Sequence, residues 1–248
     1  MAEIEHEETV IHSESSFLNR FRAYLGEFVY GGMDGSVTTF AVVAGAVGAG
    51  LESAIIIILG FANLLADGFA MSVGAYLSSK SEKDNYRKHR RVEYWEVDHL
   101  PECEREEVRA IYASKGFEGE LLEQVVDVIT ADRDRWVDVM MKEELEMVEE
   151  KKSPIMMGMI TYLSFLLIGL IPLLVYVWDY IFGFSGSLFL WSCMLTSIAF
   201  VLIGFLKTSV TGTSILKGIV ETWTLGALAA SVAYFVGDVL EQIVLSGG

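Results

Sequence analysis

Ile155–Val177 reads IMMGMITYLSFLLIGLIPLLVYV, 23 residues without a single charge. A helix of about 20 mostly apolar residues crosses the hydrocarbon of a bilayer. Inside lipid, only helices and closed barrels satisfy their own backbone hydrogen bonds, and this run is too long and continuous for a strand. It therefore predicts a transmembrane helix. Working outward, Ser187–Leu206 has the same character, again without charge. Gly218–Leu245 is apolar through its middle, with Glu221, Asp238 and Glu241 toward its ends. Upstream, Phe28–Ala49 and Ala54–Leu77 have spanning length but contain Asp34 and Asp67. The fold expected is an all-α membrane protein with five transmembrane helices and a helical domain inserted between the second and third.

Composition agrees with a chain of two kinds. Of 248 residues, 52% are hydrophobic, yet 34 acids face 18 bases, a net charge of −16. The mean hydropathy of +0.43 is that of a chain largely embedded in lipid. So apolar a chain is not disordered, and so acidic a chain lacks the cations that nucleic-acid phosphates need. Cys103 and Cys193 lie in different kinds of segment, so no disulfide framework and no cysteine-only zinc site can be built from them.

The distribution of Lys and Arg sets the orientation. Arg20, Arg22, Lys80, Lys83, Arg87, Lys88, Arg90, Arg91, Lys151, Lys152, Lys207 and Lys217 flank one set of span ends, and the opposite ends carry neither residue. The N-terminus and the insert are therefore expected in the cytoplasm. Trp178, Tyr180 and Trp191 suit the far interface, Tyr24 and Trp223 the near one. The divisions expected are a cytoplasmic tail at 1–23, spans one and two at 24–77, a cytoplasmic helical domain at 78–153, and spans three to five at 154–248. The tail is acidic, with neither basic n-region nor apolar h-region, and does not read as a signal peptide.

The insert holds 21 acids and 14 bases. Six of the bases lie within 80–91 and read as a basic collar suited to anionic headgroups. No breaker precedes Pro101, so the second span is expected to continue as one rod to about His99. Pro101 then suits the first turn of a helix over 101–114, stopped by Gly116. Helical spacing continues over Glu118–Ile129. Thr130 is a candidate cap for a last helix over Asp132–Lys151.

An acid at membrane depth is costly, by a few kcal/mol on insertion scales, and is a functional candidate by default. Glu27 and Asp34 are two turns apart on one face, with Gly31 between them, and the glycines of this span would let it pack closely against another helix. On the second span Asn63, Asp67, Met71 and Gly74 form a second stripe. Carboxylate alone suits a proton or a hard cation, whereas carboxylate with thioether suits a softer divalent metal such as Fe²⁺. Met71 by itself would serve packing equally well, and Asp34 could be a satisfied polar group between helices.

In the insert, Glu93 with Glu96, Glu104 with Glu107, and Met140, Met141 and Glu144 each share a helix face. Three helices could converge on one cluster of oxygens edged with sulfur, a divalent-cation site. The alternative is a solvated acidic face. Glu96 and His99 make a Glu-x-x-His, half of a di-iron motif, but His99 is the only histidine available for it, since His6 and His12 lie in the tail and His89 in the basic collar. No phosphate loop or Ser-His-Asp arrangement is present, so ATP-driven pumping and nucleophilic catalysis are not expected.

Tyr30–Gly45 (YGGMDGSVTTFAVVAG), Asp67–Ser78 (DGFAMSVGAYLS) and Lys207–Ser214 (KTSVTGTS) together resemble the vacuolar iron transporter family across nearly the whole chain. The resemblance implies export of Fe²⁺ from the cytosol by proton antiport, in a homodimer whose pathway lies at the subunit interface. It implies metal ligands at Asp34, Met71, Glu93, Glu96, Glu104, Glu107, Met140, Met141 and Glu144, with Glu27 and Asp67 as candidate proton relays. Fe²⁺ is then substrate rather than prosthetic group, with Mn²⁺, Co²⁺ or Zn²⁺ as alternatives, and the partners are protons, the lipid bilayer and a second copy of the chain. The location implied is a vacuolar membrane in a eukaryote or the inner membrane in a prokaryote. Two other readings stay open: a membrane-anchored metal sensor or storage accessory without transport, and an iron-oxidising enzyme built on Glu96 and His99.

Overall fold

The computed structural model describes residues 23–246, and among these every regular element is helical. The helices are α1 (Leu25–Gly48), α2 (Ser53–His99), α3 (Pro101–Ser114), α4 (Gly119–Thr130), α5 (Arg133–Glu143), α6 (Pro154–Gly169), α7 (Leu174–Phe182), α8 (Leu188–Thr211) and α9 (Ile215–Ser246). A single 3₁₀ turn, Ile171–Leu173, joins α6 to α7. The chain forms two compact units, one of residues up to Tyr76 with those from Pro154 onward, the other Leu77–Ser153. The tail over 1–22, with Arg20 and Arg22, lies outside the described residues.

In the first unit α1 is central, packing against α6, α8 and α9. Its buried face is largely small: Gly31, Gly32, Gly35, Ser36, Ala44, Ala46 and Gly48. A Cβ at Gly35 would stand 2.5 Å from the Phe165 carbonyl oxygen, and one at Gly237 of α9 would strike that of Gly45. Only glycine permits backbones so close. The glycines of this span predicted close packing against another helix, and within the chain that packing is made with α6 and α9.

Among the described residues, four helical stretches are long and apolar enough to cross a membrane: those beginning at Ser53, Pro154, Leu188 and Ile215. Helix α1, the first of the five expected spans, falls short of them in hydropathy for a physical reason. Neighbouring helices cover its buried face, so it has little need of large apolar side chains.

The third expected span is interrupted. Pro172 lacks an N–H and cannot continue the helical ladder, so the helix breaks after Gly169 and resumes at Leu174. Beside the break, Ser192 Oγ of α8 donates to Pro172 O at 2.7 Å and ties the turn to that helix.

The second unit packs residues 77–99 of α2 with α3, α4 and α5 around Tyr86, Val97, Val108, Val126, Trp136, Val137, Met140 and Met141. The rod to His99 and the helix over 101–114 are as expected. The last helix is shorter than expected. It is capped by Asp132, whose side chain accepts from Arg135 N at 2.8 Å. Thr130 instead closes the preceding helix by bonding Val126 O. It also stops at Glu143 rather than Lys151, because Glu143, Glu144, Glu146, Glu149 and Glu150 are like charges on neighbouring turns.

Candidate metal centre

The insert's site begins with which residues its helices turn inward. Tyr86, Arg90, Glu93 and Val97 follow one another at helical spacing on α2, so the face that buries Tyr86 and Val97 also buries Glu93. On α3, Glu104 precedes Val108 by one turn and is buried with it. Both glutamates are only 4% exposed, and Oε2 of each has no hydrogen-bond partner. A buried, unpartnered carboxylate must hold a proton or a cation.

Three further acids surround them. Burial, then repulsion from Glu144, Glu96 and Glu107, pushes the Glu93 carboxyl up to about 7. Burial, then Glu107, Glu93, Glu96 and Glu144, pushes Glu104 up to about 7 as well. Glu144 is raised by burial and by Glu107 and Glu96. The five predicted glutamates are thus one electrostatic cluster drawn from α2, α3 and the end of α5.

The basic residues of this unit do not neutralise it. Arg105 pairs with Asp127, Arg109 with Glu106 and Glu123, Lys115 with Glu143, Arg133 with Asp98, and Arg90 with Asp138. Among the described residues no ion pair reaches Glu93, Glu96, Glu104, Glu107 or Glu144. Arg133 holds Asp98 below the usual carboxylate range, and Arg109 does the same for Glu123. Each arginine therefore marks an acid used for structure, and the cluster lies elsewhere.

Met140 and Met141 are fully buried in the core of this unit. Among the described residues, no three His, Cys, Asp or Glu side chains converge to chelating distance. Five like charges repel, so ligation requires the outer glutamates to rotate toward the buried pair. His99 is turned to Trp95, with Nδ1 2.8 Å from the Trp95 carbonyl and the rings stacked at 4.7 Å.

Two features escaped the sequence reading. Arg90, counted there in the basic collar, is only 35% exposed; it donates to Tyr94 one turn along α2 and bridges α2 to Asp138 of α5. Its helical spacing from Tyr86 and Tyr94 was the available signal. Cys103 was weighed only for disulfides and cysteine sites. Its thiol donates to Glu107 Oε1 at 3.7 Å and is held above its ordinary range by that carboxylate, so it stands at the cluster's edge.

In the membrane-type unit, Glu27 and Asp34 lie on the half-exposed side of α1, beside the exposed Tyr30. Gly31, placed on their face by spacing, is buried against Thr161 and Ser164 of α6. On α2, Asn63, Asp67 and Met71 share a half-buried stripe, while Gly68, beside Asp67, packs against Phe165. Asp34 and Asp67 stand close enough to interact electrostatically. The Asn63 amide nitrogen is buried without a partner. These groups make a polar seam along α1 and α2.

Comparison with known proteins gives this arrangement a context. A family model described as the VIT family matches residues 25–238, which include both groups of residues. A vacuolar iron transporter of Toxoplasma gondii is 35% identical over 228 residues, covering 89% of this chain and 76% of that protein. Vacuolar iron transporter 1 of Tulipa gesneriana is 30% identical, covering 88% and 87%. Vacuolar iron transporter 1 of Arabidopsis thaliana is also 30% identical, covering 87% and 86%.

Proposed function

The chain belongs to the VIT family, and from that premise we propose that it moves Fe²⁺ out of the cytosol in exchange for protons. The observation that carries this reading is the pair of buried glutamates, Glu93 and Glu104, with an unpartnered oxygen each, while Arg90, Arg105, Arg109 and Arg133 pair with other acids. Carboxyls held near neutrality exchange a proton for a cation with little pH driving force.

In this mechanism residues 78–153 lie in the cytoplasm and the chain crosses the membrane five times, with α1 as the first span. Glu96, Glu107 and Glu144 capture the ion at the surface, Glu93 and Glu104 draw it inward, and Met140 and Met141 add soft sulfur. Asp34 and Met71 carry it through the bilayer, and Asp67 and Glu27 relay the returning protons. A second copy of the chain completes the pathway. The stripe of Glu27, Tyr30 and Asp34 supports that assignment, since Tyr30 is exposed and the two acids beside it are half-exposed. Mn²⁺, also a divalent ion that accepts carboxylate ligands, is a second substrate.

Reconstituted vesicles with an imposed pH gradient test the proposal. Fe²⁺ uptake is expected to collapse with the gradient and to fall at least about tenfold in Asp34→Ala, as loss of an intramembrane ionisable group predicts. Uptake indifferent to both would refute antiport. Full uptake in Asp34→Asn, with metal binding retained by the insert, would point to a metal-binding membrane protein whose spans only anchor it.

A further inference from the structure

We propose that Arg87, Arg90 and Arg91 of α2, with Tyr94 as a floor, form a binding pocket for a soluble anion that bears more than one phosphate group.

The three arginines stand at i, i+3 and i+4, so their side chains share one helix face. With Asp84 and Tyr94 they line a depression of about 510 Å³. Its floor is held in place. The Tyr94 hydroxyl donates to Asp134 at 2.7 Å, and the Tyr94 ring carries the guanidinium groups of Arg90 and Arg133 at 5.6 and 4.4 Å from its centre.

These three guanidinium groups lack a close carboxylate. A charge-assisted N–H to O contact normally closes to about 2.7–2.9 Å. Other arginines of the same unit reach that distance: Arg109 Nε donates to Glu123 at 2.8 Å, and Arg133 Nε donates to Asp98 at 2.7 Å. Arg90 reaches Asp138 only at 3.4 Å, and its Nε is buried without a partner. Arg87 meets Asp84 at 4.0 Å. Arg91 Nε donates to the Arg87 carbonyl at 3.3 Å, and among the described residues no ion pair reaches it. A shortage of acids is not the cause, since residues 78–153 hold 21 acids against 14 bases. Like charges on adjacent turns repel, and an anion entering the depression removes that repulsion. Guanidinium forks match phosphate oxygens two at a time, so three of them around one hollow suit more than one phosphate group.

The membrane surface is too far away to supply the anion. Helix α2 runs unbroken to His99. At 1.5 Å per residue, Arg87 and Arg91 stand about 15 and 21 Å along it from Leu77, the end of the apolar run. Headgroups extend only about 5–8 Å beyond the hydrocarbon, which leaves Lys80 as the base at their depth.

Tripolyphosphate is the probe, titrated calorimetrically into the full-length protein in detergent after a chelating resin has removed metal. Wild type is expected to bind it saturably, and to bind inorganic phosphate at least about tenfold more weakly. Arg87 and Arg91 are exposed, so their loss disturbs no core packing. Arg87→Gln and Arg91→Gln are each expected to weaken tripolyphosphate binding at least about tenfold, the weight of one charge-assisted contact. Arg135→Gln removes the same charge from an exposed position of α5 and is expected to change binding by less than about threefold. Equal losses in all three variants would reduce the pocket to diffuse attraction and overturn it, as would a wild type that shows no saturable binding. In phosphatidylcholine nanodiscs at physiological ionic strength, the affinity is expected to persist when phosphatidylinositol bisphosphate is included. Its loss there would assign the arginines to lipid headgroups and overturn the soluble ligand.

Discussion

Replacing Glu93 and Glu104 together by Gln should stabilise the insert at alkaline pH and remove its response to metal. Each carboxyl is raised from 4.5 to about 7 in the folded protein. A raised carboxyl favours the protonated form, so its stabilising contribution is complete below pH 4.5 and is lost as pH rises through about 7. A shift of this size sets a ceiling of about 3 kcal/mol per group. Solvent screening and the repulsion the two share reduce the pair to roughly 2–4 kcal/mol in total. Gln has nearly the same shape and no charge. The double variant should therefore match wild type at pH 4 and exceed it by that amount at pH 8. Hydrogen exchange at the core amides of Val108, Val126 and Val137 reads the difference locally. Mn²⁺ at a hundredfold excess over its dissociation constant should restore about 2.7 kcal/mol to wild type and nothing to the variant. Identical protection in both proteins from pH 5 to 8, or equal stabilisation by Mn²⁺, would refute the buried-charge reasoning.

Other substitutions separate packing from ligation. Met140→Leu with Met141→Leu should change insert stability by less than about 1.5 kcal/mol, since volume is kept, yet weaken Fe²⁺ relative to Mg²⁺ in competitive dialysis. Met140→Ala should cost about 2–5 kcal/mol by opening a cavity, visible as early unfolding in denaturant. Gly35→Leu should abolish monodisperse protein in size-exclusion chromatography, because even its Cβ would meet the Phe165 carbonyl at 2.5 Å. Met71→Ala should lower Fe²⁺ uptake in vesicles while leaving metal binding by the insert intact.

Much of the helical order was legible because it depends on local properties. Uncharged runs such as Ile155–Val177 and the Pro101 start of α3 declare themselves without knowledge of neighbours. Pro172 shows where that reading stops: its apolar ring fits a span, but its missing N–H breaks the helix, and Ser192, twenty residues later, ties the turn to α8. The glycines of α1 announced close packing without naming the partner, which within the chain is α6 and α9. The length of α5 was missed because the repulsion among Glu143, Glu144 and their neighbours outweighs helix propensity.

The sequence by itself determined that glutamates and methionines recur in the insert at spacings that put them on helix faces, since periodicity follows from backbone geometry alone. Only the tertiary structure decided which acids stand apart. Arg105, Arg109, Arg133 and Arg90 claim partners from other helices, up to 48 residues away in the chain, and what they leave unclaimed is the cluster around Glu93 and Glu104. The physical reason is that a carboxylate's proton affinity depends on what is packed around it, and only folding assembles those surroundings.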